Sequence, residues 1–100
     1  MKVITICGSM RFAGEMKSIA YRLETKKGYC VLQPVYSEGA VVPGSVESKL
    51  KQAYFRRIDI SDGIYVVNKG GYIGESVRAE IDYAEERGKE VIYHEAAAER

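Results

Sequence analysis

The sequence predicts an α/β domain built on a parallel sheet. Short continuous apolar runs alternate with segments whose apolar residues recur at helical spacing. Continuous apolar runs are typical of strands buried on both faces, and the helical segments between them are typical of crossover connections. Because a chain of 100 residues can bury only one modest core, we expect a single domain covering residues 1–100.

The first half of the chain is predicted to hold two strands and one helix. Residues 3–7 (VITIC) are the first strand, and helical spacing of apolar residues from 13 to 23 follows, ending at the sequence KKG. Residues 29–35 are the second predicted strand. Residues 36–45 carry two glycines and a proline without a sustained period, which predicts a surface loop.

The second half is predicted to alternate helix, strand, helix and strand. Residues 64–67 and 90–93 are the third and fourth strands, and residues 77–87 are the helix between them. An earlier helix is indicated by the spacing of Val46, Leu50, Ala53 and Tyr54. The terminal EAAAER either extends as a helical end or frays.

Composition narrows the classes of function. The 15 basic and 14 acidic side chains nearly balance, so nucleic acid is not an expected partner. No apolar run approaches the length of a membrane span, and we expect a cytoplasmic protein without a membrane partner. Cys7 and Cys30 lack CxxC spacing and are expected to be buried, reduced thiols. His94 is the only histidine, so no metal site is predicted, and it is expected near the surface at a strand end.

Three predicted loops follow the carboxyl ends of strands, where ligands bind in open parallel sheets. They cover residues 8–14, 33–45 and 68–76. The first contains Gly8, Ser9, Met10 and Arg11 ahead of a helix, which favours an anionic or hydroxyl-rich ligand. It matches neither the ATPase loop nor the dinucleotide fingerprint. The alternative is a tight turn with a solvent-exposed arginine.

The loop at residues 68–76 (NKGGYIGES) has three glycines before a helix. Such a loop suits an anion or a sugar, and Tyr72 could stack on a ring. The alternative is a flexible, glycine-rich connection.

Glu80 is the candidate reactive residue. Val77, Ile81 and Ala84 define the buried side of the third helix, and the helical angle turns Glu80 toward that side. Ser76 and Ala84 occupy the positions four residues away, so Glu80 has no basic partner at that spacing. An inward carboxylate is either satisfied by hydrogen bonds or kept for chemistry.

Three segments resemble the nucleoside 2-deoxyribosyltransferase-like family, which includes deoxynucleoside monophosphate N-glycosidases. They are ICGSMR at the first strand end, SDGIYVVN around the third strand, and AEIDYAEERGKEVIY from the third helix into the fourth strand. The resemblance implies an open parallel sheet of four to five strands with helices on both faces. This three-layer arrangement is similar to flavodoxin and Rossmann domains.

The resemblance also implies an activity. Glu80 stands where the family has its nucleophile, which attacks a 2-deoxyriboside to form a covalent glycosyl ester. Gly8, Ser9 and Arg11 would line the sugar and phosphate side. In the same resemblance, Gly74 and Ser76 would offer groups at the helix N-terminus to the 5′ end. The family's second acid precedes the nucleophile at a position that is Arg56 here, and Asp59 and Asp62 are the nearby candidates. Aspartates placed before a strand also commonly cap a helix or make a turn.

The expected partner is therefore a small nucleoside or nucleotide, with no cofactor. A non-catalytic nucleotide- or nucleotide-sugar-binding module stays open as an alternative, since the second acid is displaced. The family also implies a homo-oligomer, a dimer or larger, and eight tyrosines could cover such an interface.

Overall fold

The computed structural model describes residues 1–36 and 43–96. It contains a four-stranded sheet in which every neighbouring pair is parallel, in the order β2-β1-β3-β4. The strands are β1 (Val3–Gly8), β2 (Cys30–Leu32), β3 (Gly63–Val67) and β4 (Glu90–Tyr93). The predicted α/β fold with an open parallel sheet is confirmed.

Three α-helices connect the strands: α1 (Ala13–Arg22), α2 (Gly44–Asp59) and α3 (Glu75–Glu86). A 3-10 turn (Met10–Phe12) precedes α1, and a π-helical turn (Leu23–Lys27) extends it to Gly28, whose φ of 71° ends the helix. No helix in the described part of the chain is both long and apolar enough to cross a membrane.

Helices cover both faces of the sheet. One buried cluster packs α1 against side chains of β1, β2 and β3, including Ile6, Val31 and Val67. The other cluster lies on the opposite face, where Cys7 and Val66 pack with residues of α2 and α3. Strand side chains alternate between the two faces, so successive residues of β1 serve different clusters. The continuous apolar run of β1 is explained by this double burial.

Buried polar groups tie β1 to the end of α2. Thr5 is fully buried, and its Oγ1 shares a hydrogen bond of 2.6 Å with Ser61 Oγ. Ser61 Oγ in turn donates to the carbonyl of Arg57 at 2.7 Å. A threonine is therefore tolerated in the core because its hydroxyl has a partner.

Two elements differ in length from the prediction. β2 is shorter than residues 29–35, since Pro34 has no N–H to donate to a ladder and the strand pairs only with β1. α2 begins directly after Pro43 and continues to Asp59, and Ile58 is its one fully buried residue. Val46, part of the predicted stripe, is 43% exposed. Most of the predicted loop 36–45 and the last four residues lie outside the described residues.

The two cysteines differ in their surroundings. Cys7 is fully buried and Cys30 is only half-buried, and both are free thiols. The expectation of burial is therefore correct for Cys7 alone. Cys30 lies on the edge strand β2, which has a neighbour on one side only.

We predict that Gly63→Ala destabilises the fold. A Cβ at Gly63 would lie 2.6 Å from the carbonyl oxygen of Glu90 on the neighbouring strand, and backbone cannot move aside cheaply. We expect a loss of about 1–3 kcal/mol in the free energy of unfolding, measured by urea titration. Gly14→Ala is the matched control, because nothing lies within 4 Å of its added Cβ and alanine favours a helix. Equal stabilities of the two variants would contradict the prediction.

Candidate functional site

A cleft of about 800 Å³ opens at the carboxyl ends of β1 and β3. Its walls come from the loop after β1, from α2, and from the loop and first turns of α3. The residues that line it include Gly8, Ser9, Met10, Glu47, Ser48, Lys51, Tyr54, Phe55, Tyr72, Gly74, Ser76 and Glu80. Of the sequence-predicted residues, Gly8, Ser9, Met10, Tyr72, Gly74, Ser76 and Glu80 therefore come together.

Glu80 lies at the cleft and is nearly inaccessible to solvent. Its residue is 8% exposed, and its Oε1 is fully buried with no hydrogen-bond partner among the described residues. Neighbours on the same helix, Val77, Ile81 and Ala84, are buried against the sheet and fix its orientation. The inward direction expected from the helical angle is observed. A buried carboxyl oxygen without a partner costs stability, so Glu80 is the candidate functional residue of the cleft.

Burial raises the pKa of Glu80 from its ordinary value of 4.5 to about 7. The neighbouring Cys7 thiol and the Lys51 ammonium act in the opposite direction but do not offset burial. The Cys7 thiol donates to the carbonyl oxygen of Thr5 in its own strand, at 4.0 Å. Glu80 Oε1 has no hydrogen-bond donor among the described residues. Near neutral pH the carboxyl is poised between its acid and carboxylate forms.

Two other buried titratable groups adjoin Glu80. Burial raises the pKa of Cys7 and the pKa of Tyr54 well above their ordinary values. The Tyr54 hydroxyl donates to the carbonyl oxygen of Ile6. Both groups are therefore neutral at physiological pH and add no charge beside the carboxyl.

The loop after β1 brings its backbone close to the cleft. A Cβ on Gly8 would lie 3.0 Å from Met16 Sδ and 3.2 Å from Val67 Cβ, so glycine permits this packing. Ser9 caps the 3-10 turn, and its Oγ accepts from Arg11 N–H at 3.3 Å. The Arg11 guanidinium stacks 4.0 Å from the ring of Tyr72, and Arg11 is not among the residues that line the cleft.

The loop after β3 is held by the segment beyond β4. The Asn68 amide exchanges two hydrogen bonds with the backbone of Glu95, at 3.0 and 2.8 Å. Gly70 and Gly71 have φ values of 65° and 81°, and Gly70 N–H donates to a Glu95 carboxylate oxygen at 3.1 Å. These two glycines therefore shape a turn whose amide is already bonded within the protein. The loop is therefore held in place by hydrogen bonds to Glu95, and the Gly70 amide is not available to bind an anion.

The start of α3 is the part of this loop that faces the cleft. Gly74 is the N-cap residue, and no side chain caps the helix. Ser76 and Glu75 are exposed on the first turn, beside the cleft. The unpaired N–H groups of such a turn suit an anion or a hydroxyl oxygen.

Asp59 and Asp62 do not lie with Glu80. Asp62 accepts a hydrogen bond from the N–H of Val3 at 2.7 Å, at the amino ends of β1 and β3. The cleft lies at the other, carboxyl end of the same strands. Asp59 ends α2, where its carboxylate accepts from Tyr83 Oη at 2.8 Å and pairs with Arg87 at 3.3 Å. Both carboxylates thus make long-range contacts, Asp62 with the start of β1 and Asp59 with Tyr83 and Arg87, and not the helix-cap or turn contacts that are common before a strand.

Residues of α2 supply a wall that the sequence did not reveal. Glu47, Lys51, Tyr54 and Phe55 recur at helical spacing and face the cleft. The helical spacing of these residues, which continues to the buried Ile58, could have predicted that they share one face of α2. It was obscured because the face is mostly polar.

A smaller cavity of about 180 Å³ adjoins the cleft beyond Tyr54. It shares Met10 and Glu47 with the cleft and adds Pro34, Val35 and Arg57. No group of three or more metal-ligating side chains occurs in residues 1–36 and 43–96. His94 lies on the surface after β4, where its Nδ1 is 2.8 Å from Tyr65 Oη.

Comparison with known proteins gives no assignment. A scan against protein-family models and a search of curated proteins both returned no match to this chain.

We predict that Glu80→Gln removes a pH-dependent loss of stability. Between pH 4.5 and about 7 the folded protein keeps a proton that the unfolded chain releases, so wild-type stability falls as pH rises through this window. The full difference corresponds to at most about 3 kcal/mol. Urea titrations at pH 4 and pH 8 should show Glu80→Gln gaining on the wild type only at the higher pH.

The matched control is Glu85→Gln, an exposed position on the same helix. It should follow the wild type at both pH values. Parallel stability curves for Glu80→Gln and the wild type would show that the folded protein does not hold this proton.

Proposed function

We propose that the protein cleaves or transfers the N-glycosidic bond of a 2-deoxyribonucleoside or its 5′-monophosphate through a covalent glycosyl-Glu80 intermediate. The observation that carries the proposal is the buried carboxyl of Glu80, with an unpartnered oxygen, in a cleft at the carboxyl ends of β1 and β3. The segment resemblance at ICGSMR, SDGIYVVN and AEIDYAEERGKEVIY supports the same reaction class.

In the first step a Glu80 carboxylate oxygen bonds to the anomeric carbon of the sugar. The carbon–nitrogen bond breaks, its electron pair leaves with the base, and the base takes a proton from water or from a carboxylic acid in the cleft. Glu47 and Glu75 are carboxyl groups that line the same cleft. In the second step water displaces the glutamate and gives the free sugar, or a second base displaces it and gives a new nucleoside.

Burial suits Glu80 to the nucleophilic role. A carboxylate removed from water has lost most of its hydration before the reaction and is held in one direction by the packed helix. Its pKa of about 7 leaves a large ionised fraction at physiological pH. The reaction should therefore become faster as pH rises toward a plateau above about 7.

The remaining walls fit a sugar and its substituents. Gly8 and Ser9 bring backbone and hydroxyl groups to one side, and Gly74 and Ser76 bring an uncapped helix start to the other. Tyr72 is 41% exposed at the rim, where an aromatic ring could contact the base. Arg11 contributes through its stacking on Tyr72 rather than from within the cleft.

A second candidate is a binding module for a nucleotide or nucleotide sugar without turnover. It is favoured by the positions of Asp59 and Asp62, which leave the cleft without the second aspartate implied by the resemblance. Assembly into a homo-oligomer, and a cytoplasmic location, are further parts of the proposal that follow from the resemblance and from composition.

We predict that the purified protein releases base from at least one member of a panel of deoxynucleosides and deoxynucleoside 5′-monophosphates, measured by chromatography. Glu80→Gln should lower the rate by about a thousandfold or more, since it removes the nucleophile. Adding a second free base separates transfer from hydrolysis. Mass spectrometry of acid-quenched enzyme should find a deoxyribosyl group on the peptide that contains Glu80.

Glu85→Gln is the control and should keep the wild-type rate. Wild-type protein that releases and exchanges no base above the Glu80→Gln background would rule out the enzyme. Ligand-induced thermal stabilisation that persists in Glu80→Gln would in that case favour the binding module.

A further inference from the structure

Lys51 is the one lysine or arginine among the described residues that line the cleft, and its ammonium opposes the effect of burial on the pKa of Glu80. It lies on α2, Glu80 lies on the facing helix α3, and both side chains line the same cavity. No ion pair within 4 Å joins Glu80 to any cation of the described residues, so the ammonium acts through space. Lys51 is exposed and engages none of the described residues in an ion pair or hydrogen bond.

The other groups around Glu80 cannot replace this charge. Those with titratable side chains are Cys7 on β1, Tyr54 and Glu47 on α2, Tyr72 on the loop, and Glu75 on α3 itself. Burial raises the pKa of Cys7 and the pKa of Tyr54, so both groups are neutral at physiological pH, and the side chains of tyrosine and glutamate carry no positive charge. Arg11 is held in its stack on Tyr72, outside the lining of the cleft.

We propose that Lys51 is a positioning residue that favours the ionised form of the Glu80 carboxyl in the unliganded cleft. The proposal rests on the proposed function for its catalytic meaning, but the electrostatic coupling can be measured without any substrate. An opposite charge favours the ionised form of a carboxyl, and a partly dry cleft screens it less than bulk water does. Lys51 thereby counteracts part of the cost of burial.

Lys51 can stabilise the negative charge of Glu80 without forming a salt bridge to it. A close ion pair would hold the carboxylate oxygens and compete with a reacting carbon for them. A cation on the opposite wall stabilises the charge while leaving Oε1 unpartnered, as observed. Lys51 is therefore suited to support Glu80 without blocking it.

The test compares three lysine variants with the wild type by the NMR titration of Glu80 and by the pH dependence of kcat/KM. Lys51→Met removes the charge and keeps most of the stem, Lys51→Arg restores the charge, and Lys49→Met alters an exposed lysine of the same helix that does not line the cleft. The titration of Glu80 is followed by NMR of ¹³C-labelled glutamate carboxyls, assigned by their loss in Glu80→Gln. Circular dichroism checks that each variant is folded.

We expect Lys51→Met to move the Glu80 midpoint upward by about 0.5–1 pH unit, a modest change because the lysine is exposed. Lys51→Arg and Lys49→Met should stay at the wild-type midpoint. In the enzyme, the acidic limb of kcat/KM for Lys51→Met should move by the same amount, with rates converging on the wild type at high pH.

An unchanged Glu80 midpoint in Lys51→Met overturns the proposal. So does a rise in KM for a monophosphate that is equal at every pH, which would assign Lys51 to phosphate binding instead. A shifted midpoint in a protein without turnover would support the coupling while rejecting the enzyme. The two proposals therefore fail by different measurements.

Discussion

The candidate site depends on how the chain leaves two neighbouring strands. After β1 it turns to one face of the sheet and forms α1, and after β3 it turns to the other face and forms α3. The carboxyl ends of these adjacent strands are consequently left uncovered between diverging connections, which is where open parallel sheets form crevices. Gly8 and Glu80 lie at the same cleft because of this topology, although they are far apart in sequence. The cleft is thus a product of connectivity and not of any single motif.

Glu80 shows how the core and the site conflict. The buried residues that fix α3 against the sheet also remove the Glu80 carboxyl from water, and this burial raises its pKa. The neighbouring Cys7 and Tyr54 are neutral at physiological pH, so they keep the surroundings dry without adding repulsion. A stable fold alone would place an apolar residue at position 80. A buried carboxyl with an unpartnered oxygen lowers stability instead, and groups with strongly shifted pKa values cluster at functional sites in proteins.

Much of the fold was predictable because burial leaves a periodic trace. The bounds of β4 match the prediction, and the inward side of α3 followed from the spacing of Val77, Ile81 and Ala84. The cleft face of α2 was missed because polar side chains such as Glu47 and Lys51 leave no apolar period. The hydrogen bonds between Asn68 and Glu95 join segments that are distant in sequence, so no local sequence pattern predicts them.

One error in the site was avoidable from topology. Asp62 directly precedes β3, and residues that precede a parallel strand lie at its amino end, whereas the ligand-binding loops follow carboxyl ends. Proximity in sequence to a predicted strand was therefore insufficient. The relevant property was which end of that strand the residue occupies.

Contacts of the loop after β3 fix the position of Tyr72 and cover part of its ring. Asn68 and Glu95 hold the start of this loop, and the Lys69 ammonium pairs with Glu15 of α1 at 2.7 Å, so the loop is anchored to two other segments. Arg11 covers one face of the Tyr72 ring, and Phe12 meets the ring at an interplanar angle of 79°. The ring face that Arg11 covers is therefore closed to any ligand that would stack on it. The Tyr72 hydroxyl lies 3.2 Å from where a Cβ of Gly74 would be, so it reaches the start of α3, where glycine leaves it room. Tyr72 thus joins the rim of the cleft to the helix that carries Glu80.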